Sequence, residues 1–292
     1  MKNRFSSDRR GAVGLLTLAA MTVICGFGAL VIDFGTIYLE ETRLQTACDA
    51  AALAGAGALS LGEEVALQTA REVAAANGVA TAVAAIRERD GQRTVVVTAE
   101  RTVGLGLARV LGVNEATVNS ASEAGTGMLS GVRGAIPLGV VWQDFEFGQS
   151  YRLKVGPDDS EQGNFGALAL AGRGADPYRH TLKYGFDEVL RIGQQVETEP
   201  GNMTGPTEDG VNHRINQCTP GCAHTNCARV VLVPVIDRLG QGRSEVQVVG
   251  FATFVLEGCA GGEVWGKFIE NVVSGEVGPA NDYGTKVVRL TR

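Results

Sequence analysis

The sequence predicts an α+β protein: an N-terminal transmembrane helix that continues into a helical stem, then a small α+β module, then a mostly β exterior domain. Three observations support this prediction. A long uncharged run begins near the N-terminus, the residues after it follow helical spacing, and the chain contains 40 glycines but only 6% aromatic residues. Abundant glycine between short apolar runs is typical of strands joined by turns.

The uncharged run covers residues 11–32 and follows a basic tail at residues 1–10. At ~1.5 Å per helical residue the run is about 33 Å long, enough to cross the ~30 Å hydrocarbon layer. Basic residues concentrate before it, which places the N-terminus in the cytoplasm and the rest of the chain outside. The rival interpretation is a secretory signal cleaved at residues 47–54, but the apolar run is longer than such a signal needs. We therefore predict a retained single-pass anchor in an inner or plasma membrane.

The helical pattern continues beyond the run into the stem. Small residues recur there every four positions, as in Ala47, Ala51 and Gly55. This spacing would allow a second helix to approach closely, which makes self-association through the stem one possibility. The simpler explanation is that alanine favours helices.

The stem and the module after it occupy residues 33–125. Ser60 and Glu63 have the spacing of a capping box, which predicts a short amphipathic helix ending at Asn77. Alternating apolar residues on both sides of Asp90 and Gly91 predict a tight hairpin. A helical turn at residues 105–112 and a strand at 116–120 complete the module.

A glycine-rich linker at residues 126–134 is predicted to separate this module from the β-rich exterior domain at residues 135–292. In that domain, apolar runs at 151–155, 229–236 and 245–256 indicate strands. Long turn-rich segments lie between them, and Pro206 is placed to begin a short helix toward Ile215.

The anchor region carries two specific motifs. Residues 31–38 read VIDFGTIY, and residues 44–55 read LQTACDAAALAG. Together with the uncharged span, these motifs resemble the N-terminal region of the TadE/TadG-like family of tight-adherence (Tad, or Flp) pilus-assembly proteins. Cys48 stands where a small residue is more usual. The strands and helical turn up to residue 125 are similar to the pilin-like continuation of that family.

The resemblance implies a non-enzymatic component of pilus assembly or surface adhesion that acts through protein–protein contacts. It implies as partners other Tad/Flp assembly proteins or pilin, together with the lipid bilayer. The positions that carry the family pattern are Asp33, Gly35, Leu44, Gln45, Asp49, Ala50, Ala51, Ala52, Leu53, Ala54 and Gly55.

One departure from the pilin pattern concerns processing of the N-terminus. Pilins of this machinery are cut after a glycine and carry glutamate five residues into the mature chain. Gly11 follows two arginines as a cleavage site would, but the fifth residue after it is Leu16. A retained anchor therefore fits the TadG-like members better than the pilin subunits.

The exterior cysteines suggest either disulfides or a metal site. Four lie in the last third of the chain, and in an oxidising space they could form two disulfides with any of three connectivities. Zinc is the weaker alternative, because their spacing differs from that of paired Cys-x2-Cys knuckles. The four candidates are Cys218, Cys222, Cys227 and Cys259.

No catalytic residue and no cofactor are predicted. The sequence contains no Gly-x-Ser-x-Gly elbow, no phosphate-binding Gly-Lys-Ser/Thr loop and no His-Glu-x-x-His helix. The acidic turn at residues 158–160 would suit calcium, although such a turn also forms without it. Beyond the basic tail the chain carries a net charge of about −9, which disfavours nucleic acid as a partner. The second functional hypothesis is a membrane-tethered exterior binding module, either an adhesin or a ligand sensor.

Overall fold

The computed structural model describes residues 9–89, 92–154, 165–200, 203–218, 227–239 and 242–291. The chain divides into two compact units, with unit 1 formed by residues 1–124 and 290–292 and unit 2 by residues 125–289. The α+β class, the long apolar N-terminal helix and the β-rich C-terminal part are confirmed. The comparison with pilins remains a prediction.

Unit 1 begins with one long helix, followed by a shorter helix and three strands. Its elements are α1 (Arg9–Gly57), α2 (Glu63–Ala76), β1 (Val83–Arg89), β2 (Gln92–Gly104) and the first part of β3 (Glu115–Val132). Helix α1 contains no proline and runs without interruption from the apolar span into the packed part of the unit. It is long and apolar enough to cross a membrane. Its side chains at positions 13–32 are exposed, apart from half-buried Ala29, whereas many of those after position 43 are buried.

The remaining elements of unit 1 pack against this second part of α1. Strands β1 and β2 pair antiparallel from Val83 opposite Thr98 to Arg89 opposite Gln92, as the hairpin pattern predicts. The turn residues 90 and 91 lie outside the described residues. The sheet continues from β2 to β3.

The predicted capping box before α2 is wrong. Ser60 lies in a 3-10 turn (Leu59–Leu61), and the N-cap is Gly62, which has a φ of 121° and makes no side-chain capping bond. The 3-10 turn shifts the helix start, so that Glu63 becomes the first helical residue. Glycine suits this position between the 3-10 turn and α2, because it adopts a positive φ without steric cost.

Unit 2 is built on a mixed sheet with helices beside it. Its elements after β3 are β4 (Leu138–Val141), β5 (Ser150–Lys154), β6 (Phe165–Ala167), α3 (Ala175–Tyr184), β7 (Leu190–Arg191), β8 (Gln195–Glu197), α4 (Thr204–Asn216), β9 (Val230–Ile236), β10 (Glu245–Ala260), β11 (Glu263–Ile269), β12 (Asn271–Val273), β13 (Glu276–Val277) and β14 (Thr285–Leu290). The order of strands in the main sheet is β5-β11-β10-β9-β4-β6, and β8 also pairs with β10.

The core of unit 2 is aromatic and aliphatic. Phe254 and Phe268, on β10 and β11, are almost fully buried and meet edge to face with ring centroids 4.9 Å apart. Tyr178 on α3 is buried and shares a hydrogen bond of 2.9 Å with Thr207 on α4. This bond satisfies two polar groups that would otherwise be costly to bury.

Most of the predicted glycine-rich linker at residues 126–134 is strand rather than loop, because β3 continues to Val132. The glycines allow neighbouring segments to approach β3 closely. A Cβ at Gly127 would lie 2.7 Å from a methyl group of Val277, and one at Gly131 would lie 2.7 Å from the carboxylate of Glu276. The division between the two units falls earlier, between Ala124 and Gly125.

Candidate interaction site in unit 1

One face of α1 forms the core of unit 1. Leu44, Ala51 and Ala52 are fully buried, and Cys48 is 1% exposed. The Cys48 thiol lies 3.9 Å from the carbonyl oxygen of Ser120 on β3. Small side chains on this face let the sheet approach the helix backbone, so the alanine-rich pattern here has a packing role.

Gly55 marks the closest approach between α1 and its neighbours. A Cβ at this position would lie 2.9 Å from a methyl group of Val95, 3.0 Å from the Ala70 Cβ and 3.1 Å from the Ala66 carbonyl oxygen. The helix that uses the small residues of the stem is therefore α2 of the same chain. Self-association through the stem is not needed to explain them.

A polar network joins α1 to β3 within this apolar surface. The Gln45 amide nitrogen donates to a carboxylate oxygen of Asp49 at 2.7 Å and to the Ser122 hydroxyl oxygen at 2.8 Å. The Ser122 hydroxyl also donates to Asp49. Ser122 is fully buried, so this pairing specifies which residues of β3 face the helix.

Asp33 pins the loop after β2 to the helix. Its carboxylate accepts backbone N–H bonds from Gly106 at 2.8 Å, Leu107 at 3.0 Å and Ala108 at 2.6 Å. Asp33 is 5% exposed. The N–H of Ala108, together with those of Gly106 and Leu107, holds the pKa of this carboxyl below its usual range. The carboxylate thus caps the 3-10 turn Ala108–Leu111, where orphan N–H groups and the turn dipole favour a negative charge.

An ion pair lies further along α1. Arg101 on β2 donates to a carboxylate oxygen of Glu40 at 2.8 Å and to the carbonyl oxygen of Gly78 at 2.5 Å. Together with Asp33, this contact fixes β2 along the part of α1 that follows the apolar span.

The α1 side chains in these contacts lie on the segment that the comparison with known protein families identifies. Residues 11–58 match the Tad family model. Its description is "Putative Flp pilus-assembly TadE/G-like". The resemblance drawn from the sequence motifs is confirmed over this Tad segment. No curated protein and no solved structure matches the chain.

Most motif positions of the Tad segment make a contact within unit 1 that explains the residue found there. Leu44, Ala51 and Ala52 fill the core, Gln45 and Asp49 bind Ser122, Asp33 caps the loop, and Gly55 permits close packing. Ala50, Leu53 and Ala54 are half-buried. Gly35 is exposed and a Cβ there would meet nothing within 4 Å, so packing in unit 1 does not explain it.

Sequence reasoning missed the partners of Asp33 and Asp49. The sequence predicted no role for Gly106 or for Ser122. The signal in the sequence was Asp33, an acidic residue directly after an apolar span. A carboxylate that is buried there needs several hydrogen-bond donors from elsewhere in the chain.

The structure describes the candidate cysteine site of unit 2 only in part. Cys259 carries a thiol, so a disulfide that includes it is not supported. Cys222 and His224 lie outside the described residues, as does the acidic turn at 158–160, so a disulfide through Cys222 remains a prediction. Within the ranges that the structure describes, no three His, Cys, Asp or Glu side chains form a group that could hold a metal ion.

Partial burial makes the thiol of Cys259 a poor nucleophile. Desolvation, with the nearby Glu208 carboxylate, raises its pKa to about 11. At pH 8 only about one molecule in a thousand then carries the thiolate, which is the reactive form. We expect iodoacetamide to label Cys259 slowly in the folded chain, roughly ten times faster at pH 9 than at pH 8, and completely after unfolding in urea without reductant. Peptide mass spectrometry measures each label.

Two results would contradict this expectation. Rapid labelling of Cys259 at pH 8 would show that the thiol is not buried. Failure to label it after unfolding, reversed by reductant, would show that it forms a disulfide.

Proposed function

We propose that this chain is a non-enzymatic, membrane-anchored component of Tad/Flp-type pilus assembly that acts through protein–protein contacts. The match of residues 11–58 to the Tad family carries the proposal. The expected partners are other Tad/Flp assembly proteins or pilin. An uncleaved α1 holds the protein in the inner or plasma membrane with its N-terminus in the cytoplasm and both units outside.

The exposure pattern of α1 supports this proposal. Nearly all of its apolar side chains at positions 13–32 are exposed, as Leu16 at 75% exposure and Ile24 at 70% show. Burying that surface in lipid removes it from water. From Leu44 onward one face of the same helix is buried against the rest of unit 1, so the anchor is joined to the first unit by a packed helix.

Deletion in a strain with a complete Tad system is the decisive test. We expect loss of pili and of surface adhesion, and recovery with the full chain but not with a secreted form lacking residues 1–32. The intact mass of the membrane-purified protein separates two roles. A mass that includes residues 1–11 supports a retained anchor, whereas their loss would indicate a processed subunit inside the filament. Normal pili in the deletion strain would contradict the proposal.

The second candidate function is an exterior binding module, either an adhesin or a ligand sensor. It is favoured by an aromatic cluster in unit 2, where the Trp142 ring lies 5.1 Å from Tyr283 and 5.4 Å from Phe145. Phe147, 6.2 Å from Trp142, is 41% exposed. Aromatic rings of this kind line small-molecule sites.

The test of this second function compares the full chain with a Phe147→Ala variant for binding to cell-wall glycans. Two results together would favour this second function over pilus assembly. The full chain would bind glycans and the Phe147→Ala variant would not, and the deletion strain would still make normal pili.

A further inference from the structure

The direction of β2 shows which end of unit 1 lies nearest the apolar span. Arg101 contacts Glu40, and five residues later Gly106 contacts Asp33. Residue numbers therefore rise along β2 as they fall along α1. Glu40 and Asp33 are about 10 Å apart along α1, at ~1.5 Å per helical residue. The chain therefore advances about 10 Å toward the apolar span between Arg101 and Gly106.

Strand β3 runs in the opposite direction to β2, away from the apolar span. Its Ser120 carbonyl lies beside Cys48, and its Ser122 hydroxyl contacts Asp49. The connection between β2 and β3, residues 105–114, is thus the end of unit 1 nearest to the apolar span. Asp33, the first residue after that span, binds this connection directly.

This connection presents apolar side chains outward. Leu107 is 44% exposed, Val110 85% and Val113 50%. Single exposed apolar residues are common on soluble proteins, but three within seven residues of a capped 3-10 turn form a patch that needs a partner. Residues 102–114 contain no acidic side chain, and their one charged residue is the exposed Arg109.

We propose that residues 105–113 insert into the interface of the membrane that α1 crosses, with Leu107, Val110 and Val113 among the upper acyl carbons and Arg109 at the lipid phosphates. The occupant of this surface is the bilayer, because the hydrogen bonds to Asp33 hold the loop at the level where the apolar span ends. Apolar side chains with a nearby cation have the composition of interfacial membrane segments.

The capping bonds make this insertion compatible with an acidic residue at the membrane surface. Asp33 is shielded from lipid by the backbone of residues 106–108, and its carboxylate satisfies three N–H groups that would otherwise enter the interface unpaired. Phe34 and Tyr38, 67% and 69% exposed, follow on α1 where aromatic side chains favour the headgroup region. The inference rests on the membrane anchoring proposed above.

Tryptophan quenching by brominated lipid tests the proposal. The full chain is reconstituted in phosphatidylcholine vesicles with brominated or ordinary acyl chains, and the emission of the native Trp142 and Trp265 is subtracted. We expect brominated lipid to remove at least about half of the emission added by Val110→Trp, since bromine quenches only at contact distance. Val83→Trp is the matched control, because Val83 is also exposed but pairs with Thr98, which lies about 20 Å before the end of β2 at Gly104.

Ile24→Trp, within the span, separates failure of this proposal from failure of the anchor. Quenching at position 24 but not at 110 would overturn the insertion of the loop while leaving the anchor intact. Quenching at neither position would overturn both. Equal quenching at 110 and 83 would also contradict the proposal, because it would mean nonspecific contact with lipid. Val113→Trp replaces Val110→Trp if circular dichroism shows that the latter does not fold.

Discussion

Gly55→Leu is expected to prevent the packing of unit 1. The leucine Cβ alone would lie about 3 Å from Val95, Ala70 and the backbone of Ala66, and three further carbons have no space. We expect the free energy of unfolding of unit 1 to fall by about 3 kcal/mol, since neither α2 nor β2 can move away without exposing core. Hydrogen exchange on the full chain in micelles measures this as lost protection of amides in α2 and β2.

Gly57→Leu is the matched control for Gly55→Leu. Gly57 ends the same helix, and a Cβ there would meet nothing within 4 Å. We expect the control to keep the protection of unit 1 and to support pili like the natural sequence. Full protection in the Gly55→Leu variant would show that α2 does not pack at Gly55 as the structure describes.

Asp33→Ala is expected to release the loop from α1 and to abolish pilus assembly. Three backbone N–H groups lose their acceptor together, and the position of the loop beside the apolar span is then no longer fixed. We expect the amides of Gly106, Leu107 and Ala108 to exchange at least about tenfold faster, while those of α2 keep their protection. Complementation of a deletion strain tests assembly.

Two comparisons separate the carboxylate from a general effect of charge. Asp33→Asn keeps one acceptor oxygen and should exchange at an intermediate rate, whereas Glu41→Ala, an exposed acidic position on the same helix, should change nothing. Because the pKa of Asp33 is lowered in the folded chain, its contribution to stability is present above the unfolded value of about 3.8 and is lost as pH falls through the folded value. Unchanged exchange in Asp33→Ala would contradict the capping role.

Local patterns were enough to predict much of unit 1. The uncharged run, the alternation around residues 90 and 91, and the Tad motifs each depend on residues close together in sequence, so α1, β1 and β2 could be predicted. The capping box failed because Ser60 has the right spacing for one, yet the preceding 3-10 turn moves the helix start to Glu63.

The contacts that build the site could not be predicted in this way. Asp33 and Gly106 are 73 residues apart, and Asp49 and Ser122 are also 73 apart, so no local period connects them. In unit 2, helix α3 was missed because it is short and its first turn contains Asp176 and Pro177, residues that also favour turns. The linker prediction failed because glycine in β3 serves close packing instead of chain reversal.

The order of synthesis has a consequence for the inner face of α1. Cys48 emerges 72 residues before Ser120, the β3 residue that it contacts, so the small-residue face of the helix is made long before the sheet that covers it. Contacts at such separations form slowly, because the intervening chain must first lose conformational freedom. During that interval the small-residue face of the new helix stays uncovered, until the chain's own β3 packs against it.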